Sequence, residues 1–273
     1  IKNLNSPLRP YSLTEKNIEH HISSSEALKL LPSVSIKSYG GRAGISTVSV
    51  HGGQSQRFMI LFDSIPINNE QNGVADISQI PPFLLSSIQY LPQGLSSRFG
   101  KSALTGVLNF IPSKSGSKIN IRLGNYNDSS TSFMLSKSIK SSNIIISAGN
   151  SNYNANYEYR ETGKYSHVPY QLNKLFKNLK NSINQKFFYS KMIGNFTKVP
   201  YNISYLKVQN NRELSTNIYS TRINNQQMFD DLELLNISLN YKNYNFLLTR
   251  KNISIEYLSD IHKLLTYSYL MSL

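Results

Sequence analysis

Residues 235–242 alternate without a break, with Leu235, Ile237, Leu239 and Tyr241 on one side of an extended chain. Asn236, Ser238, Asn240 and Lys242 fall on the other. A period of two marks a strand with one dry and one wet face. Ile119, Ile121 and Leu123 repeat it, as do Tyr201, Ile203 and Tyr205. Alternating windows about ten residues long, parted by polar turns, suit a transmembrane β-barrel. A soluble β-sandwich alternates in the same way, so the period alone leaves both architectures open.

Ahead of residue 116 the pattern is different. Ser12-Leu13-Thr14-Glu15 and Ser23-Ser24-Ser25-Glu26 both fit a capping box, a Ser oxygen with a Glu three residues on. The second opens a short helix through Leu28, Leu30 and Leu31 that Pro32 stops. Short β-like runs follow at Val34–Tyr39, Val48–His51, Met59–Phe62, Ile88–Leu91 and Val107–Ile111. Gly40-Gly41, Gly52-Gly53, Asn72-Gly73 and Pro81-Pro82 punctuate them. Two domains are therefore expected: a small mixed α+β unit over residues 1–115, and antiparallel strands over 116–273.

Composition narrows the chemistry. The chain has 273 residues, 39% of them hydrophobic, with 18 Tyr and 12 Phe but no Cys. Disulfides, thiolate metal sites and Cys nucleophiles are excluded. The formal charge of +14 raises nucleic acid as a partner. However, the basic residues stand singly among Asn, Ser and Tyr, with no basic run, so no nucleic-acid partner is expected. No apolar stretch approaches the roughly 18 residues of a transmembrane helix. No Gly-x-Ser-x-Gly nucleophile elbow accompanies His51-Gly52-Gly53, and no His pair has metal-ligand spacing, so neither an enzyme nor a zinc site is expected.

Five short motifs occur in order. They are Leu31-Pro32-Ser33-Val34, Val50-His51-Gly52, Leu61-Phe62-Asp63-Ser64-Ile65-Pro66, Ile88-Gln89-Tyr90-Leu91 and the run from Phe99-Gly100 through Ala103 and Gly106 to Phe110. With them the stretch from Leu31 to Lys114 resembles the plug domain of TonB-dependent outer-membrane receptors. Ser38-Tyr39-Gly40-Gly41, Ser46–Val50 and Ala75-Asp76-Ile77-Ser78-Gln79-Ile80-Pro81 are most similar to the cobalamin-receptor branch, with siderophore receptors next. The resemblance implies a plug followed by an incomplete transmembrane β-barrel, in the outer membrane of a Gram-negative-type bacterium. It also implies a TonB-type energy-transducing partner and a nutrient ligand, cobalamin or a ferric siderophore, with no cofactor. A surface β-rich binding protein such as an adhesin, or a non-functional receptor remnant, are the alternatives.

In such receptors the ligand sits on outward plug loops, here residues 39–46 and 68–76. The implied ligand-binding residues are Tyr39, Gly40, Gly41, Arg42, Asn69, Gln71, Asn72 and Asp76. Backbone N–H groups and small polar side chains there suit a bulky polar ligand. Glu158 and Glu161 are the only acids in the region where cobalamin receptors bind calcium, too few for a cage. The sequence departs from the family at Ser33 and Ser64, where Gly is usual, and at Gln89 and Pro92-Gln93, where charges normally lock plug to barrel. A weakened lock is the expectation. A barrel of about 22 strands needs roughly 450 residues after the plug. The 158 present suffice for about seven or eight, so this polypeptide alone is expected neither to insert stably nor to transport.

Overall fold

The computed structural model describes residues 10–92, 96–155, 158–160, 175–177, 181–196, 199–214, 226–241, 244–258 and 263–272. Its first part is a five-stranded sheet in the order β1-β6-β7-β4-β5. These are β1 (Tyr11–Thr14), β4 (Phe58–Phe62), β5 (Ile65–Pro66), β6 (Leu85–Pro92) and β7 (Gly106–Pro112), with β4 and β7 parallel. A separate hairpin pairs β2 (Val34–Tyr39) with β3 (Ile45–Val50). Three short helices complete it: α1 (Glu15–Glu19), α2 (Ser24–Leu28) and α3 (Ser96–Phe99).

The second part is one antiparallel sheet of eight strands, each beside its neighbour in sequence. They are β8 (Lys118–Leu123), β9 (Ser129–Ile139), β10 (Ser142–Asn154), β13 (Ser182–Phe196), β14 (Val199–Leu214), β15 (Gln226–Tyr241), β16 (Tyr244–Leu258) and β17 (Lys263–Ser272). A two-stranded ribbon, β11 (Glu158–Arg160) with β12 (Leu175–Lys177), lies between β10 and β13 in the chain. Two residues separate the strands at 140–141, 197–198 and 242–243, and more residues separate them at 124–128, 155–181 and 215–225. Because the strands alternate in direction, all the longer connections leave from one end of the wall.

Strands β8–β10 and β13–β16 pack against the first part. A single apolar cluster joins Phe58, Ile60, Phe62 and Phe110 of the small sheet to Tyr189, Leu206, Val208, Leu232 and Ile253 of the wall. Phe62 meets Tyr189 edge to face at 5.9 Å between ring centroids. The wall's other face carries the remaining apolar residues outward. Strand register sets them side by side: Ile119 opposite Phe133, Leu135 opposite Ile146, Met192 opposite Ile203, Ile203 opposite Ile237, and Leu239 opposite Phe246. Ile119, Leu135, Ile203, Leu239 and Phe246 are 38–74% exposed. The wet side chains of the same alternation, Asn236 and Thr249, are buried toward the first part and bond to each other at 3.3 Å. The wall thus buries apolar residues against the first part and also leaves a band of apolar residues exposed on its outer face.

Local signals were read with mixed accuracy. Val34–Tyr39 is a strand over the residues expected, and Ser23 caps α2, accepting from Glu26 N–H. The first capping box sits two residues later than expected. Ser12 is in β1, pairing with Gln89, and Thr14 caps α1 through the Asn17 side chain, whose Oδ1 accepts from Thr14 N–H at 3.1 Å. α2 ends at Leu28, short of Leu30 and Leu31. His51 leaves β3 for a turn, at φ 50°.

Two serines and one glycine show how tightly the first part is drawn. Ser33 and Ser64, where the motif favours glycine, adopt φ 61° and 73°. At Gly106 (φ 140°) a Cβ would stand 2.7 Å from the Leu91 carbonyl oxygen, so a side chain there would collide with β6.

Candidate functional site

The first candidate loop joins β2 to β3. Gly40 and Gly41 turn the chain through positive φ, and the Ser38 hydroxyl donates to Gly41 O at 3.1 Å. The turn is so close that a Cβ on Gly44 would lie 1.6 Å from Tyr39 O. Tyr39 is left 61% exposed at the tip. Arg42 does not project free. Its guanidinium lies 4.4 Å from the Tyr153 ring centroid and Nη1 meets Asp128 Oδ2 at 2.7 Å, on the loop between β8 and β9. Arg122 also approaches Asp128, at 3.4 Å. Burial pushes the Asp128 pKa up, but hydrogen bonds and charge from Arg42 and Arg122 outweigh it and hold the carboxyl below its ordinary value.

The second loop is built on two asparagines. Asn68 Oδ1 accepts from Ile60 N–H at 2.8 Å, and its Nδ2 donates to the carbonyls of Phe58 and Gly73. Asn69, buried, accepts the Gln71 N–H at 2.8 Å. Asn72 Oδ1 accepts from Val74 N–H at 2.9 Å. This bracing presents Gln71 and Asn72 at the surface. Asp76 closes the loop by accepting from the N–H groups of Ser46 and Ser78. Asp76 therefore stitches one candidate loop to the other.

Arg212 of β14 holds both. Fully buried, it donates to Asp76 Oδ2 at 2.8 Å, to Gly44 O at 2.9 Å and to Asp230 of β15 at 2.7 Å. Gln79 and Asn210 also donate to Asp230, each at 2.7 Å. Two further buried cations reach inward from the wall: Lys191 to Asp63, and Lys251 to Asn68 O and Glu70. At the other flank Lys118 meets Glu15 at 2.6 Å. The lock expected to be weakened by Gln89 and Pro92-Gln93 is thus made by different residues. Lys191, Arg212 and Lys251 have one sequence signal, their parity: each lies on the buried side of its strand with Tyr189, Val208 and Ile253 respectively.

Five of the eight expected residues border two separate hollows, and Tyr39, Gly40 and Asp76 border neither. Asn69, Gln71 and Asn72 border a cleft of about 930 Å³ lined by residues 54–104 alone. Gly41 and Arg42 border a smaller cavity of about 240 Å³, with Ser46, Ser78 and Gln185. Arg42 and Asp76 are engaged in ion pairs with the wall, while Tyr39, Gln71 and Asn72 point outward. Among the described residues no group of three or more His, Asp or Glu could hold a metal ion. Glu161 lies outside the described residues.

Comparison with known proteins agrees with this geometry. Residues 3–107 match the family model described as the TonB-dependent receptor plug domain. A 166-residue stretch, 58% of this chain, is 30% identical to a vitamin B12 transporter of Vibrio vulnificus (strain YJ016), covering 27% of that protein. The ferric enterobactin receptor of Pseudomonas aeruginosa, solved with enterobactin, superposes over 91% of this chain and 41% of its own, with TM-score 0.60 and 14% identity. The siderophore receptor PiuA of Acinetobacter baumannii does so over 94% and 38%, with TM-score 0.64 and 11% identity. At these identities the likeness shows the fold: a plug with the strands of an incomplete barrel. The chain spans about two fifths of the solved receptors' length, and the aligned stretch about a quarter of the transporter's.

Proposed function

With residues 3–107 a TonB-dependent receptor plug domain, we propose that this chain supplies the plug and leading barrel strands of an outer-membrane receptor for energised nutrient uptake. The division is residues 1–115 for the plug and 116–273 for the wall. One observation carries the reading: a wall whose inner face packs on the plug also sets a band of exposed apolar side chains on its outer face. Soluble monomers rarely leave so continuous an apolar surface uncovered. Hydrocarbon covers it at no cost, and the flanking wet faces pack on the plug.

Cobalamin is the favoured ligand, supported by the vitamin B12 transporter's similarity, with a ferric siderophore next. Tyr39, Gly40, Gly41, Gln71 and Asn72 offer the contact surface, while Asn69 braces its loop. Arg42 and Asp76 act from behind by fastening the loops. The partner is a TonB-type protein that draws on the segment ahead of Tyr11. β1, the edge strand of the plug sheet, pairs with β6 alone and is the first described strand after that segment. The work comes from the partner, so the chain needs no nucleotide site.

Titration of cyanocobalamin into the receptor in detergent micelles tests the ligand. Saturable binding at micromolar concentration is expected; its absence ends the cobalamin assignment. Full solubility and native fold without detergent would end the membrane reading itself.

A further inference from the structure

The Arg212 guanidinium is used to its last proton. Its five N–H groups meet Asp230 Oδ1 at 2.7 Å and Oδ2 at 3.0 Å, Asp76 Oδ2 at 2.8 Å, Gly44 O at 2.9 Å and Ser78 Oγ at 3.0 Å. Asp230 belongs to the wall, whereas Gly44 sits in the first candidate loop and Asp76 and Ser78 close the second. The loops also share Asp76, which takes Ser46 N–H of the first loop and Ser78 N–H of the second on one oxygen. The first loop has little freedom of its own, since Gly44 is pressed against Tyr39 O.

We propose that Arg212 is the joint that sets the position of both ligand loops, so that unseating Asp76 and Gly44 from it releases the two loops together. The word ligand here rests on the receptor reading above; the joint itself does not. The planar fork is essential, because five acceptor atoms on four residues must be met in fixed directions. A lysine offers a compact charge with no such geometry. The placement of both ligand loops then depends on one residue: loops drawn away from β14 lose their common anchor in a single step. Arg212 is a positioning residue, fully buried, whereas Tyr39 and Gln71 are exposed.

The chain has no cysteine, so labels are placed without background. In the receptor in detergent, spin labels at Tyr39→Cys with Lys186→Cys report the first loop against the wall, and Gln71→Cys with Lys186→Cys the second. Narrow distance distributions are expected in the parent. Asp76→Asn removes the carboxylate charge from the loop side of the joint and leaves the Arg212–Asp230 pair, and Arg212→Gln removes the whole fork. Both distributions are expected to broaden together in each, and in Arg212→Lys as well. Lys191→Met is the comparison, since it removes an equally buried wall cation far from both loops. Cyanocobalamin affinity, measured without labels, is expected to fall about tenfold or more in Arg212→Gln and to stay near the parent in Lys191→Met. Equal broadening in Lys191→Met, or an unchanged first loop in both Asp76→Asn and Arg212→Lys, would overturn the proposal. If the parent binds no cobalamin while the distances respond as expected, the ligand assignment fails and the joint stands.

Discussion

The Asp63 carboxylate and the Lys191 ammonium form an ion pair across the plug–wall boundary, with side chains 13% and 2% exposed. Asp63 stands in a two-residue turn whose backbone is left-handed at both positions, φ 48° and 73°, which aims its side chain at β13. Removing one partner strands the other without water. Lys191→Met or Asp63→Asn should each cost about 3–5 kcal/mol of plug seating. The pair replaced together by apolar residues should lose much less. Urea denaturation of the singles and the double checks this; strictly additive losses would mean the residues do not interact.

Ser64 and Ser33 carry a backbone conformation that side chains resist. Ser64→Gly keeps the N–H that donates to Asn109 Oδ1 at 3.0 Å and relieves the Cβ. After the entropy of a freer unfolded chain is subtracted, each glycine should stabilise by about 0.5–1 kcal/mol. Alanine at either site should give no gain. Midpoints of chemical unfolding decide, and a loss with glycine would show that the hydroxyls matter more than the backbone.

The Arg42–Asp128 clamp should weaken in acid. The folded Asp128 carboxyl titrates below its ordinary value, so its contribution is present above the unfolded pKa of about 3.9 and is lost as pH falls through the folded value. The stability difference between parent and Asp128→Asn should therefore be constant at neutral pH and shrink below about pH 4. A difference that grew toward acid would reverse the sign and refute the assignment.

Outward charges separate the membrane from water as the medium of the wall. Ile203 lies amid the apolar band, beside Met192 and Ile237, whereas Asn211 on the same strand and face lies beyond it. Ile203→Arg should cost about 2–4 kcal/mol in lipid, and Asn211→Arg about 0–1. Folding into vesicles, followed by the heat-sensitive gel shift, measures both. Equal, small effects would favour a water-facing sheet.

Local chemistry was legible where it was local. Val34–Tyr39 announces itself by β-branched and aromatic residues between turn signals, and Ser23 by its distance from Glu26. Ser12 offered the same cap signal, yet pairing with Gln89, 77 positions away, places it in a strand. Leu235–Tyr241 gave its period but not its inside, because alternation has no sign until a second surface is present. The partners of the candidate site residues were hidden for the same reason. Arg42 reads as a free contact on a glycine-rich loop, and its partner Asp128 stands 86 positions on. Asp76 and Arg212 are 136 apart. No local pattern encodes such pairings, and buried charge becomes visible only once the wall is folded against the plug.

The two sheets also differ in what must happen before each exists. Every long wall strand pairs with the one just made, so the wall grows hairpin by hairpin, with little chain to close at each step. The plug sheet is of the slow kind: β1 waits for β6, and β4 waits for the parallel β7 while more than forty residues loop between them. A chain whose early segment is slow and whose late segment is quick has an ordering problem. A wall completed first would have to admit a half-formed plug carrying Asp63, Glu70 and Asp76 past Lys191, Lys251 and Arg212. Assembly is simplest if the slow part is held open, away from lipid, until the fast part has somewhere to close.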